Sequence, residues 1–214
     1  MNIQGLVRVS GGNAITDYGT LAIASGAAMT DGAVLDLNGG SEGVGNLSGG
    51  ADGDNTYAEV GRGEIHLGTG GVLTVNQTGN TTLLARITGT NATLIKLGSG
   101  ILTTSTGVEH TMSGELAVLG GLVDLSGANA GFTSLNTIRL RGGQLRSEQN
   151  STLAVINKIN NNAAIILEGT AGDGFRVTSN QNGTRTETVA SLGLSGGGRT
   201  PLPWTTRQRP RPLL

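Results

Sequence analysis

The sequence predicts an all-β protein, specifically a parallel β-helix built from many short coils. Glycine makes up 38 of the 214 residues, aromatic residues only 2%, and no long segment has helical periodicity. Alternating apolar residues bury one face of a strand, and glycines between such runs permit sharp corners. We therefore expect a thin core that is repeated many times.

The strands are predicted from a recurring unit in which glycine precedes two apolar positions separated by one residue. The unit is clearest in a repeat-like core over residues 94–127, with strands expected around Leu94, Ile101, Leu116 and Val123. It begins at Gly5, Gly19, Gly63, Gly71, Gly100, Gly114 and Gly121. Strands this short need copies of themselves to stack on. With about 20–25 residues per coil, the chain would hold roughly nine coils in a rod about 45 Å long.

An antiparallel β-sandwich is the alternative fold. Asn38-Gly39 and Asn182-Gly183 are typical of the type I′ turns that join antiparallel hairpins. The scarcity of aromatic residues and the repeated unit argue against it, because a sandwich core usually contains bulky inward residues.

Towards the carboxyl end the pattern predicts two further strands and then a different composition. A strand over residues 152–159, a turn at residues 160–162 and a strand over residues 163–169 are expected, with asparagines stacked as amide ladders at the corners. We assign residues 1–198 to the β-helical region. Residues 199–214 contain all four prolines, which cannot serve inside a ladder. We expect this tail to be disordered and interpret it as out-of-frame or truncated coding sequence.

Charge and composition narrow the classes of partner and compartment. Residues 1–198 carry ten Lys or Arg against fifteen Asp or Glu, so the body is mildly acidic and has no electrostatic footprint for nucleic acid. No apolar run approaches the ~20 residues that cross a bilayer. The first residues, MNIQGLVRVSGG, do not have the pattern of a signal peptide, so we expect an export signal to lie elsewhere in the parent protein.

Residues 94–127 also resemble a known family, the autotransporter-associated β-strand repeat or passenger-associated transport repeat. Its pattern begins Lys-x-Gly-x-Gly-x-Leu, which Lys96, Gly98, Gly100 and Leu102 match. Residues 113–116 and 121–123 match its closing strands. Thr104 replaces a usual Leu, and His110 and Met112 stand where Asn and Tyr are common. The segments 32–50 and 186–197 are similar to the spacers between such repeats.

The resemblance implies a right-handed parallel β-helix displayed on a bacterial cell surface, as a fragment of an exported passenger domain. Under it, Lys96, Gly98 and Gly100 are interpreted as corner residues, and His110 and Met112 as substitutions within a corner.

Two sequence motifs suggest chemistry, and we expect neither to form a site. Gly193-Leu194-Ser195-Gly196-Gly197 has the nucleophile-elbow spacing, but no helix is expected after it and both histidines, His66 and His110, precede it. We interpret it as a glycine-rich turn. Residues 49–54 are a single near-copy of a calcium-binding β-roll unit, with Asp52, Asp54 and Asn55 as its candidate ligands. Calcium takes six or more oxygens, usually from successive copies, so a loop is the better interpretation.

A carbohydrate-acting β-helix enzyme is the alternative function. Such an enzyme needs clustered carboxylates on one face, commonly with aromatic residues that stack on sugars. The acids occur without recurring spacing and are interpreted as solvated surface charge: Asp36, Glu42, Glu64, Glu109, Asp124 and Glu168. The aromatic residues are Tyr18, Tyr57, Phe132, Phe175 and Trp204.

The sequence therefore predicts a non-catalytic structural or adhesive stalk segment of an exported surface protein. The expected location is extracellular, at the cell surface, and the expected partner is a carbohydrate or protein surface ligand. No catalytic residue, cofactor or metal is predicted. Calcium-stabilised repeats remain a third hypothesis, and end-to-end self-association is expected because solenoids without caps expose strand edges.

Overall fold

The computed structural model describes residues 1–9, 12, 14–24, 33–50, 63–105, 109–126, 130–149, 157–169, 174–179 and 186–195. These residues form strands and turns, and none of them belongs to a helix that could cross a membrane. The strands are β1 (Asn2–Ile3), β2 (Leu6–Arg8), β3 (Leu21–Ile23), β4 (Val34–Asp36), β5 (Ser41–Val44), β6 (Leu47–Gly49), β7 (Glu64–Thr69), β8 (Val72–Asn76), β9 (Thr81–Leu83), β10 (Arg86–Thr90) and β11 (Ala92–Leu97). They continue as β12 (Ile101–Thr104), β13 (Glu109–His110), β14 (Gly114–Val118), β15 (Gly121–Leu125), β16 (Gly131–Phe132), β17 (Thr137–Leu140), β18 (Gly143–Gln149), β19 (Ala164–Leu167), β20 (Gly174–Ser179) and β21 (Ser191–Leu194).

The strands make up three faces, A, B and C, which the chain visits in the order B, C, A from β4 to β18. Face A is β1, β3, β6, β9, β12, β15, β18 and β20; face C is β5, β8, β11, β14, β17, β19 and β21. Face B is β2, β4, β7 and β10, continued by β13 and β16. Neighbouring strands within the faces are parallel, as in β11 with β8 and β14. The parallel β-helix is therefore confirmed and the antiparallel sandwich is wrong, while the handedness stays a prediction.

Face B is continuous through the middle of the chain. The Thr111 N–H donates to Ile87 O over 3.1 Å, and the Ser113 N–H donates to Gly89 O over 2.9 Å. Phe132 in turn forms an isolated parallel bridge with Ile159. Each coil of the central region thus contributes one segment to every face.

The central coils are regular in length, whereas the coils outside them vary from 20 to 34 residues on face A. On face A, Thr104 pairs with Leu125 and Leu125 with Ser147, which gives coils of 21 and 22 residues. Gly49 pairs with Leu83, so the coil between them takes 34 residues. The eight strands of face A therefore bound seven coils, fewer than the roughly nine expected from a uniform coil. At ~4.8 Å per coil the stack is about 34 Å long.

The core is a set of apolar ladders that run through the coils. On face C, one ladder contains Leu73, Leu94, Leu116, Ile138 and Ile165, all with fully buried side chains. Removing such a side chain from water stabilises the fold by about 1.5–3 kcal/mol. The thin, repeated core is therefore the main source of cohesion between the coils.

Asn38 and Gly39 form a tight turn, but not a hairpin. Their φ angles are 50° and 81°, and the Gly40 N–H donates to Leu37 O over 2.8 Å. Positive φ at both central residues is what a type I′ turn needs. Here the turn carries the chain from β4 on face B to β5 on face C. The predicted turn conformation is therefore confirmed, but the two strands that it joins do not pair with each other as in a hairpin. Asn182-Gly183 lies outside the described residues.

Gly114 shows why glycine opens so many strands. Its φ is 111°, and a Cβ built on it would lie 2.1 Å from Ala92 O in the preceding coil. An L-residue would be strained at this φ and would overlap the neighbouring backbone. The absent side chain thus lets successive coils approach each other.

The carboxyl-terminal predictions are only partly covered by the described residues. The turn at residues 160–162 is confirmed, since the Ala163 N–H donates to Asn160 O over 2.8 Å, and the expected strand over residues 163–169 is the shorter β19. Asn160 does not show the expected amide stacking: its Nδ2 donates to Leu135 O over 2.8 Å, and its Oδ1 accepts from the Asn162 N–H over 3.0 Å. Residues 152–156 and 199–214 lie outside the described residues, so the nature of the tail stays a prediction.

Candidate functional site

Lys96 lies inside the β-helix, not at a corner as the resemblance implied. It occupies the inward ladder position between Val75 and Val118, and its side chain is fully buried. Its Nζ donates to Leu97 O (3.2 Å), Gly98 O (2.9 Å) and Gly120 O (2.8 Å). Burial lowers the pKa of Lys96 to about 8. The ammonium therefore satisfies carbonyls from two successive coils, at the turns that follow β11 and β14.

Lys158 is a second buried ammonium with the same kind of partners. Its Nζ donates to Leu125 O over 2.7 Å and to Glu148 O over 2.5 Å. Burial lowers its pKa to about 8, although Asp124, Glu187 and Glu148 oppose that change. Burial also raises the pKa of Glu187, whose carboxylate accepts from the Ile159 N–H over 3.0 Å. These charges hold backbone groups of adjoining coils together.

His110 is a core residue that lies in β13, not in a corner as expected, whereas Met112 lies in the connection between β13 and β14. Both side chains are fully buried. The His110 ring stacks on Phe132, with centroids 4.4 Å apart, and its Nδ1 accepts from the Ile87 N–H over 3.1 Å. The ring hydrogen therefore lies on Nε2, which has no hydrogen-bond partner in the part of the chain that the structure describes. Burial and Arg86 lower the pKa of His110 to about 3, so the ring is neutral.

We predict that His110 makes the fold sensitive to acid. Its folded pKa lies below the ordinary value of 6.5, so the unfolded chain binds more protons between these values and stability falls as the pH drops from 6.5 towards 3. His110→Phe retains a stacking ring without this titration. Relative to the variant, the wild-type protein should lose about 1.4 kcal/mol per pH unit between pH 6 and pH 4, measured by urea unfolding. Parallel pH profiles for the two proteins would contradict the buried position.

Contrary to the expectation from the sequence, several of the acids are not isolated solvated charges, because they bond to an arginine in a neighbouring coil. On face C, Arg139 donates to Glu115 (2.9 Å) and to Glu168 (2.8 Å). On face A, Arg146 forms two hydrogen bonds to Asp124, of 2.8 and 2.5 Å. Each arginine lies about one coil from its acid in the sequence, so opposite charges at the coil spacing were the signal that could have found these pairs.

On the outer surface of face B, charged residues from four strands lie side by side. Arg8 Nε bonds to Asp36 over 2.7 Å, His66 bonds to Glu64, and Arg86 lies 3.8 Å from Glu64. Burial alone would raise the pKa of Asp36, but hydrogen bonds from Arg8 and the Asn38 N–H hold it below its ordinary value. This cluster is internally compensated, since each of its carboxylates faces a cationic or imidazole group.

The motifs that suggested chemistry are not brought together. Ser195 follows β21 directly, and its N–H donates to Leu167 O over 2.8 Å, as a ladder residue would. His110 is buried and His66 is engaged by Glu64, on face B. Asp52, Asp54 and Asn55 lie outside the described residues. Among the residues that are described, no group of three His, Asp or Glu side chains is placed to hold a metal ion.

A groove of about 360 Å³, lined by both polar and apolar groups, lies on the outer surface of face C, near the amino-terminal coils. Its lining includes Ser41 and Gly43 of β5 and Thr74 and Asn76 of β8, and the segment before β3 adds the two residues Asp17 and Tyr18. The volume falls within the range of ~300–1,000 Å³ that small-molecule pockets occupy. The groove is therefore our candidate functional site.

Comparison with family models, with curated proteins and with solved structures found no match. The function is accordingly argued from the fold and from the groove.

The rim of the groove is the segment of residues 14–18, and it is held in place by the buried carboxylate of Glu42 and by two glycines that let it approach β5 closely. Glu42 is 3% exposed, and its carboxylate accepts from the Ala14 N–H (2.9 Å) and the Ile15 N–H (3.1 Å). A Cβ on Gly43 would lie 2.9 Å from Asp17 Oδ1, and one on Gly45 would lie 2.6 Å from Tyr18 O. The rim segment thus rests directly on the backbone of β5 and its turn. Glu42 is therefore an internal anchor and not the solvated charge that the sequence predicts.

The sequence did not reveal this groove. In the sequence, Tyr18 is one of a few aromatic residues and Asp17 belongs to no motif. Their relation to Gly43 and Glu42 arises when one coil closes on the next, which no local pattern records. The one sequence signal was a polar and aromatic pair, Asp17-Tyr18, placed just before a repeat unit.

Proposed function

We propose that the chain is a segment of an elongated β-helical stalk of an exported bacterial surface protein of the autotransporter type, with a structural or adhesive role. The observation that carries the proposal is the continuous apolar interior, in which each coil finds its main partners in the coils before and after it. Such a solenoid is extended by adding coils, and its length and its outer faces are what it offers to function.

The polar groups of the interior support the same role. Lys96 and Lys158 donate to backbone carbonyls of neighbouring coils. A catalytic lysine or carboxylate must instead reach a substrate in a cleft. Lys96 and Lys158 therefore stabilise the stalk by linking the backbones of neighbouring coils.

The carbohydrate-acting enzyme remains the second hypothesis, and the placement of the acids disfavours it. Glycoside hydrolysis needs two carboxylates that can act as acid and base or nucleophile. Glu115 and Glu168 share the guanidinium of Arg139. In the groove, Glu42 is occupied by backbone N–H groups, which leaves Asp17 as the exposed carboxylate among its described lining residues. The calcium-stabilised hypothesis involves residues outside the described ranges and stays a prediction.

Surface labelling of cells tests the proposal. Antibodies raised against the purified chain should label intact cells of the source bacterium as strongly as permeabilised ones, because a surface stalk is accessible from outside. An antibody against a cytoplasmic protein, which should label permeabilised cells only, serves as the control. Labelling by the stalk antibodies that requires permeabilisation would contradict the proposed location.

End-to-end association also stays a prediction. Leu192 and Leu194 of β21 continue two inward ladders of face C and are 47% and 65% exposed. These exposed ladder residues favour stacking of a further coil at this end.

A further inference from the structure

We propose that the groove on face C binds a short, uncharged saccharide, with Tyr18 as the stacking platform and Asp17, Ser41, Thr74 and Asn76 as hydrogen-bonding groups. The inference rests on the proposed adhesive function and deepens it, because it gives the stalk a site and a class of ligand.

The exposure of Tyr18 is the first argument. Tyr18 is 83% exposed, although its backbone is seated closely on Gly45. A tyrosine side chain has only two rotatable side-chain torsions, so it loses little conformational entropy on binding, and its ring presents an apolar face with negative electrostatic potential. The C–H face of a pyranose carries positively polarised hydrogens and stacks on such a ring. The ring is therefore suited to a sugar.

The polar lining is the second argument. Ser41 and Thr74 offer hydroxyl groups, Asn76 offers an amide, and Asp17 offers a carboxylate that accepts hydrogen bonds from sugar hydroxyls. Together these side chains can both donate and accept hydrogen bonds, which suits a ligand that carries many hydroxyl groups. A purely apolar ligand would leave these groups without partners, which is unfavourable.

The charge of the groove narrows the ligand further. Its charged described lining residues are Asp17 and Glu42, both acidic. A phosphate, a nucleic acid or a uronic acid would meet repulsion here, since anion sites use Arg, Lys or backbone N–H groups. An uncharged saccharide avoids this cost.

The rim anchoring is the third argument. The carboxylate of Glu42 is buried at an inward ladder position beside Leu73, where an apolar residue would give the core more cohesion. It instead bonds to the Ala14 and Ile15 N–H groups and so fixes the segment that carries Asp17 and Tyr18. Sites whose first contacts are held by a second set of bonds are preorganised for binding.

Saturation-transfer difference NMR on the full chain tests the site. The probes are cellobiose, maltose, lactose, chitobiose and N-acetyllactosamine, each at millimolar concentration, with glucuronic acid as the charged comparison. We expect at least one disaccharide to bind, glucuronic acid to bind more weakly, and Tyr18→Ala to weaken binding tenfold or more. Tyr18→Phe should bind within about threefold of wild type, because it keeps the ring.

The controls separate binding from folding and from the stalk proposal. Thr82→Ala, on face A, should bind as wild type does, and all variants should keep the wild-type melting temperature because these side chains are exposed. No binding of any disaccharide, or binding unchanged by Tyr18→Ala, would overturn the site. Release of new reducing ends would overturn a purely binding role. Failure of surface labelling would reject the stalk location and leave a measured saccharide affinity standing, so the two proposals can fail independently.

Discussion

Gly114→Ala is expected to destabilise the β-helix by about 3 kcal/mol or more, one of the two largest effects anticipated for a single substitution. The φ angle of Gly114 is 111°, and the added Cβ would lie 2.1 Å from Ala92 O. Neither the backbone angle nor the carbonyl can change without separating β14 from β11. The loss should therefore appear in the global free energy of unfolding, measured with urea.

Two other glycines provide matched controls. Gly70 also has a positive φ, 71°, but nothing lies within 4 Å of its added Cβ, so Gly70→Ala should cost only the conformational strain of about 1–2 kcal/mol. Gly5 has neither a positive φ nor a close neighbour, and Gly5→Ala should change stability by less than about 0.5 kcal/mol. If Gly114→Ala costs no more than Gly70→Ala, the close approach of the coils is wrong.

Lys96→Ala is expected to cost roughly 3–5 kcal/mol. The substitution leaves a cavity in the ladder between Val75 and Val118 and removes the donor that serves Gly98 O and Gly120 O. Lys96→Met keeps most of the apolar stem and should cost less, about 1–2 kcal/mol. Urea unfolding of the three proteins at pH 7 measures both differences.

The pH dependence of the free energy of unfolding, compared between wild type and Lys96→Met, reports the ionisation of the buried Lys96 side chain. The folded pKa of Lys96 is about 8, below the ordinary 10.5, so the unfolded chain binds more protons between these values. The stability of wild type relative to Lys96→Met should therefore rise as the pH increases from 8 to 10. A relative stability that is flat over this range would show that Lys96 is not buried as described.

The repeated unit predicted the fold because each copy specifies its own corner and strand from a few adjacent residues. Glycine followed by alternating apolar residues, as at Gly100 and Gly121, specifies a corner and an inward face wherever it occurs. Parallel stacking then follows, because short strands have no other partner that repeats at the same spacing. The sequence therefore predicted the class of fold, whereas the coil count depended on insertions that have no pattern of their own.

The inward polar residues could not be predicted in the same way. Lys96 and His110 interrupt the apolar alternation, and a polar residue in a pattern is normally placed outside. Their burial is explained by groups elsewhere in the fold: Gly120 O for Lys96, and the Ile87 N–H with the ring of Phe132 for His110. The groove is likewise a product of packing between coils.

The spacing of labels along one face tests the central claim, that consecutive strands stack coil upon coil. Thr82, Thr103, Asp124, Arg146 and Arg176 share one register position on face A, one per coil. The chain has no cysteine, so Thr82→Cys can be combined with Thr103→Cys or with Arg176→Cys for nitroxide labelling. Thr82 and Thr103 should be about 5 Å apart and Thr82 and Arg176 about 19 Å, a difference of roughly 14 Å by electron paramagnetic resonance. Equal distances in the two pairs, or a distance that does not grow with the number of coils, would contradict the β-helix.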